Sequence, residues 1–280
     1  MLYERQRHLL ALLDALGGFA THTDFQKLLF LYTRECEQTP SYDFVPYRFG
    51  SFSFTSYADK RRLIDDGLLA EDEQSWQLTP SGREAARGSN IAPLPVAGFC
   101  RRYPQRGDAL ISETYRRYPE MAVRSEIVER LGLDSATCCR IADARPPRSA
   151  PGLLTIGYEG RSLENYLNQL FGQSVTVLCD VRRNPLSREY GFSKGTLSHA
   201  CEGVGIRYEH LPELGIGSEK RQNLETQADY DALFAEYERD SLPRQKAALS
   251  RIRGWISEER ERVALTCFEL RPEQCCSDSR

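Results

Sequence analysis

Four short apolar runs, each ending on or soon followed by a polar or charged residue, constrain this chain more than anything else in it. They are Leu153–Ile156, Val175–Asp180, Ile206–His210 and Val263–Phe268. Helix-period segments separate them. Ser162 can cap one through Leu163, Tyr166, Leu167 and Leu170, and Ser193 a second reaching Cys201. Two more are expected near Asp229–Arg239 and Pro243–Glu259. Continuous apolar strands alternating with helices predict a mainly parallel sheet with helices on both faces, an α/β Rossmann-like layer.

Ligands of such sheets bind beyond the carboxyl ends of the strands. Those ends carry Tyr158 and Glu159 after the first strand, and Asp180, Arg182 and Arg183 after the second. The third ends in His210, and the fourth in Cys267 and Glu269. Asp180 closes an apolar run, and a buried carboxylate needs a partner, which Arg182 or Arg183 can supply. Two adjacent arginines in a loop make an anion clamp. The expected roles are acid–base group or metal ligand for Asp180, second carboxylate for Glu269, and further catalytic candidates in Tyr158 and Cys267. Arg182, Arg183, Glu159 and His210 are expected to bind a phosphate-bearing substrate. A cysteine or histidine so placed is more often a packing residue than a reactive one, which is the competing expectation for Cys267 and His210. Gly157-x-x-Gly160 lacks both the dinucleotide fingerprint and the phosphate-loop lysine. The cofactor stays open, with a divalent metal compatible with the two carboxylates, and no metal-ligand motif is assigned.

Ile156-Gly-Tyr-Glu-Gly-Arg-Ser162, Asp180-Val-Arg-Arg-Asn-Pro-Leu-Ser187, Gly191-Phe-Ser193, Leu211-Pro-Glu-Leu-Gly215 and Cys267-Phe-Glu269 with Cys275 resemble a bacterial family known as domain of unknown function 488. The resemblance covers residues 153–276 and implies a Rossmann-like fold without fixing an activity. Where that family carries Cys-His-Arg, this chain has Cys275-Cys276-Ser277. The change puts in doubt any activity that needs the missing His and Arg.

Ahead of this domain, residues 1–87 read as three helices and a ribbon. Leu9, Leu10, Leu13 and Leu16 stripe the first helix, and Thr23 can cap a second bearing Phe25, Leu28, Leu29 and Tyr32. Ser53 or Thr55 can cap a third that stops at Gly67. Leu68–Ala70 and Trp76–Leu78 suggest a hairpin, and Pro80 opens a closing helix. That order is the order of a winged helix-turn-helix. Gln26–Tyr32, Tyr42–Phe44 and Pro46–Ser53 resemble the winged-helix segment of phage- and antitoxin-associated bacterial proteins.

Charge divides the chain in three. Residues 1–87 and 151–280 each carry a net −3, whereas 88–150 carry +3. The middle stretch, read as a helical linker region with a helix over Ser125–Leu131, interleaves arginines, including Arg116 and Arg117, with Tyr103, Tyr115 and Tyr118. Such a mixture suits a nucleic-acid backbone with base stacking. With Lys60, Arg61 and Arg62 on the third helix it makes the expected nucleic-acid surface, and docking of a protein partner is the competing expectation. The whole-chain charge of −3 gives no general pull toward nucleic acid or membrane. There is no long apolar run and no signal peptide, and nine irregularly spaced cysteines contain no CxxC pair. These features point to the bacterial cytoplasm. The leading functional expectation is a nucleic-acid-directed enzyme, a hydrolase, acting on a phosphate- or base-containing substrate. Its rival is a ligand-sensing regulator or adaptor in a phage-defence or toxin–antitoxin setting, without turnover.

Overall fold

The computed structural model describes residues 2–88, 96–217 and 226–269. The chain divides into two compact units, Met1–Arg145 and Pro146–Arg280. Cys275, Cys276 and Ser277 lie outside the described residues.

The first unit opens with α1 (Glu4–Ala15), β1 (Phe19–Thr21) and α2 (His22–Cys36). Leu9, Leu10, Leu12 and Leu13 of α1 are wholly buried, as the leucine spacing requires. The cap of α2 is Thr21, not Thr23, because the chain leaves β1 directly into the helix and Thr21 Oγ1 accepts from the Asp24 N–H. A hairpin that the sequence pattern did not reveal, β2 (Val45–Tyr47) and β3 (Gly50–Phe52), follows. Next comes α3 (Phe54–Asp65), capped by Ser53. Leu69 bridges Leu78, but β4 (Ser75–Gln77) pairs along its length with β1. Trp76 is therefore drawn into the core against Phe25, ring centroids 4.5 Å apart. α4 (Pro80–Gly88) closes this part.

α5 (Val96–Arg102), α6 (Gly107–Arg117) and α7 (Ser135–Asp143) belong to the same unit. Val96, Phe99, Tyr103 and Leu110 share one core with α1 and α2, so much of the expected linker region is packed helix. The helix expected over Ser125–Leu131 is reduced to a single 3₁₀ turn, Glu129–Leu131, ended by Gly132 in the left-handed conformation.

In the second unit, β5 (Gly152–Gly157), β6 (Val177–Asp180), β7 (Arg207–His210) and β8 (Arg262–Cys267) form one parallel sheet in the order β5-β8-β6-β7. α8 (Leu163–Gly172) and α9 (Lys194–Gly203) flank it, as do α10 (Gln227–Glu236), continued by a π-helical turn at Tyr237–Ser241, and α11 (Lys246–Ser257). Val177, Cys179, Val263, Leu265 and Cys267 pack with Leu233, Ile252 and Trp255 of α10 and α11. By the two-residue period of a strand, Leu178, Asp180, Ala264 and Thr266 face the other way. No helix among the described residues is long and apolar enough to cross a membrane.

Candidate functional site

Strand register sets the rim. Asp180 pairs with Thr266 on one side and His210 on the other, and Thr266 pairs with Ile156. Side chains in such a row share a face, while Cys267, one residue further on, points to the opposite face. The sheet thus sorts the expected site residues into two groups.

The first group is a buried polar network. Asp180 is wholly buried. Its Oδ1 accepts from the Arg182 N–H at 3.0 Å and from Nε at 2.9 Å; its Oδ2 accepts from Arg182 Nη2 and the Tyr208 hydroxyl, both at 2.6 Å. Arg182 Nη1 donates to the Tyr158 hydroxyl and the Phe192 carbonyl, each at 2.8 Å. Tyr158 stacks on Phe192 with ring centroids 4.3 Å apart. Burial disfavours the Arg182 cation, but hydrogen bonding and attraction to Asp180 outweigh this and raise its pKa. Burial, helped by the Asp180 charge, likewise holds the Tyr208 phenol above its ordinary value.

These contacts correct two expectations. Asp180 has neither solvent access nor a spare position for acid–base or metal chemistry, because four donors surround its two oxygens. Arg182 is not a phosphate clamp, because three of its nitrogens already serve protein acceptors. His210 is likewise a positioning residue: its Nε2 donates to the Arg182 carbonyl at 2.9 Å while Nδ1 faces Lys194 Nζ at 3.1 Å. Glu159 is exposed and lies outside the cleft described next; its N–H donates to the Phe268 carbonyl.

The second group, with Tyr158 and Arg182 of the network, borders a cleft of about 640 Å³ beyond the ends of β5, β6 and β8. Its walls include Tyr158, Arg183, Asn184, Arg188, Cys267 and Phe268. Arg183 and Arg188 are exposed, so their charge faces solvent and any ligand there. The backbone of Arg183 is set by close contact with Gly215. A Cβ there would stand 2.4 Å from the Val181 carbonyl oxygen and 2.5 Å from the Arg183 nitrogen. Cys267 Sγ donates to Glu269 Oε2 at 2.8 Å. Glu269 is therefore engaged by Cys267, whereas Asp180 is enclosed by Arg182 and Tyr208, so the two carboxylates expected to work together have different partners. Among the described residues, no three His, Cys, Asp or Glu side chains are grouped to hold a metal ion.

Sequence reasoning missed Tyr208, Phe192, Arg188 and Phe268. Tyr208 stands two residues before His210 on one strand, so the period of two could have placed it beside Asp180. Arg188 carried no such signal, since only the folded loop brings it back to the strand ends.

The expected nucleic-acid surface in the first unit is also divided. Lys60 is buried; its Nζ donates to the carbonyls of Asp72 (2.7 Å) and Ser75 (2.6 Å) and contacts His22 Nε2 at 2.9 Å. It fixes the turn before β4 and is unavailable to phosphate. Arg61 and Arg62 are exposed on α3. Arg116 lies 3.9 Å from Glu113, and Arg117 lies 2.6 Å from Glu35, which also takes Arg102. Tyr103 and Tyr115 are core residues, so they offer no base-stacking platform.

A family model described as a domain of unknown function, DUF488, matches residues 162–277. The match covers most of the α/β unit and includes Asp180, Arg182, Phe192 and Tyr208 of the buried network, Arg183, Arg188 and Cys267, while Tyr158 lies ahead of it. No curated protein and no solved structure matches the chain.

Proposed function

We propose that the α/β unit binds a small phosphate-bearing ligand, a nucleotide or a phosphorylated nucleic-acid end, in the cleft at the strand ends. The observation that carries this reading is the pairing of two exposed arginines, Arg183 and Arg188, with the exposed ring of Phe268 on the walls of one cleft. Guanidinium groups match phosphate oxygens in geometry and charge, and an aromatic wall suits a planar base. The Asp180–Arg182 network gives the loop a rigid root, as a preorganised site requires.

The first unit is read as a winged-helix module that directs the chain to nucleic acid. Support comes from the order of α1, β1, α2 and α3, followed by a ribbon in which β4 pairs with β1 and Leu78 bridges Leu69. Arg61 and Arg62 would then face the phosphate backbone. Docking to a protein partner is the second reading for this module, favoured by the ion pairs that already occupy Arg102, Arg116 and Arg117.

Calorimetric titration with inorganic phosphate and with a nucleoside monophosphate tests the cleft. Each of Arg183→Ala and Arg188→Ala is expected to weaken binding about tenfold or more, since a hydrogen bond to a charged group contributes about 1.5–3 kcal/mol. Absence of binding by the unaltered protein, or equal affinity in the double variant, would reject the reading.

A further inference from the structure

Beyond the buried network, the end of β8 brings a thiol to the cleft, with a carboxylate hydrogen-bonded to it. Cys267 is 1% exposed, lines the cleft, and holds its Sγ 2.8 Å from Glu269 Oε2. β8 is an inner strand bonded to β5 and β6, so the sulfur sits on rigid backbone. The carbonyl of Phe268 accepts from the N–H groups of Tyr158 and Glu159, at 3.2 and 3.0 Å, which tethers the stretch carrying the carboxylate. The other sheet cysteine differs: burial, then the nearby Asp180 charge, push the Cys179 thiol up to about 12, and it does not line the cleft.

A nucleophilic thiol requires a base within hydrogen-bond reach and a means of holding the electrophile. Glu269 meets the first requirement, and Arg183 and Arg188 on the same cleft can meet the second for an anion.

We infer that Cys267 is the nucleophile of this cleft, that Glu269 takes its proton, and that the substrate is a phosphate monoester; this rests on the phosphate-binding reading above. Sγ attacks phosphorus, an S–P bond forms, and the P–O bond to the alcohol breaks. The alkoxide leaves with that electron pair and takes a proton from water. The hydroxide so formed attacks phosphorus, the S–P bond breaks, and the sulfur recovers its proton from Glu269. The net change is hydrolysis to an alcohol and inorganic phosphate, with no redox step.

The test uses the full chain with para-nitrophenyl phosphate, alongside calorimetry with inorganic phosphate. Turnover is expected, with acid-quenched protein carrying one phosphoryl group on Cys267. Cys267→Ser should abolish both and keep phosphate affinity. Glu269→Gln should slow turnover about a hundredfold, the lower range for a lost general base. Iodoacetate gives an independent readout: the thiol attacks its methylene carbon, iodide leaves, and Glu269 takes the proton. Cys267 should be alkylated faster than the exposed Cys138 and Cys139, and saturating phosphate should protect it. Slower alkylation of Cys267, or phosphate binding without turnover above the Cys267→Ser rate, overturns the inference and leaves the binding reading standing. No phosphate binding at all overturns both.

Discussion

Arg182 grips a carboxylate only two residues before it, with Nε 2.9 Å from Asp180 Oδ1 and Nη2 2.6 Å from Oδ2. Both side chains are withdrawn from solvent. A pair this enclosed is strongly coupled to folding, since removing one partner strands a buried charge.

Asp180→Asn is therefore expected to destabilise the α/β unit by about 3–5 kcal/mol. Urea titration followed by circular dichroism should show the lowered midpoint. Combining it with Arg182→Met should cost clearly less than the two single changes added together, because the shared charge is removed only once. Additive losses would contradict the coupling.

Gly215 predicts a local consequence. Ala there would force its Cβ into the Val181 carbonyl and the Arg183 nitrogen, backbone atoms that cannot rotate away. Gly215→Ala should destabilise by about 1–3 kcal/mol, the range for forced overpacking. Since Arg183 lines the cleft, phosphate affinity should fall as well. Calorimetry on the folded variant separates the two losses.

Lys27 gives the first unit a pH signature. Its Nζ is buried and donates to the Ser51 carbonyl at 2.8 Å, and burial lowers its pKa to about 7. Between about pH 7 and the ordinary lysine value near 10.4, the unfolded chain holds a proton that the folded chain does not. Stability should therefore rise with pH through that window, by at most about 1.4 kcal/mol per unit, and Lys27 should add no slope below it. Lys27→Met should flatten the slope. Urea titrations at pH 6, 7.5 and 9 read it directly.

For nucleic acid, Arg61 and Arg62 should behave unlike Lys60. Arg61→Ala with Arg62→Ala should leave folding intact and weaken binding across sequences. Their loss should reduce the log–log salt slope by about 0.9 for each phosphate contact removed. Lys60→Ala should instead loosen the turn at Asp72–Ser75, lowering the melting temperature. Gel shifts over a salt series, with melting curves alongside, separate the two effects. No shift at low salt would favour a protein partner for this module.

The sequence by itself determined the parallel α/β unit, because four apolar runs with intervening helix-period segments admit few other arrangements. It also indicated that polar chemistry gathers at the strand ends, since the residue closing each run is visible in one dimension. The leucine stripe of α1 and the Ser53 cap of α3 were legible for the same reason: both are local patterns.

Only the tertiary structure decided which rim residues work together. Asp180 and Glu269 look equivalent in sequence, yet the fold encloses one with Arg182 and Tyr208 and gives the other to Cys267. Lys60, Arg61 and Arg62 are consecutive, yet helical geometry turns Lys60 inward to three acceptors and leaves its neighbours in solvent. The pairing of β1 with β4 likewise joins segments more than fifty residues apart. Burial and partnership depend on strand order, register and helix rotation, contacts between residues distant in the chain that local composition does not encode.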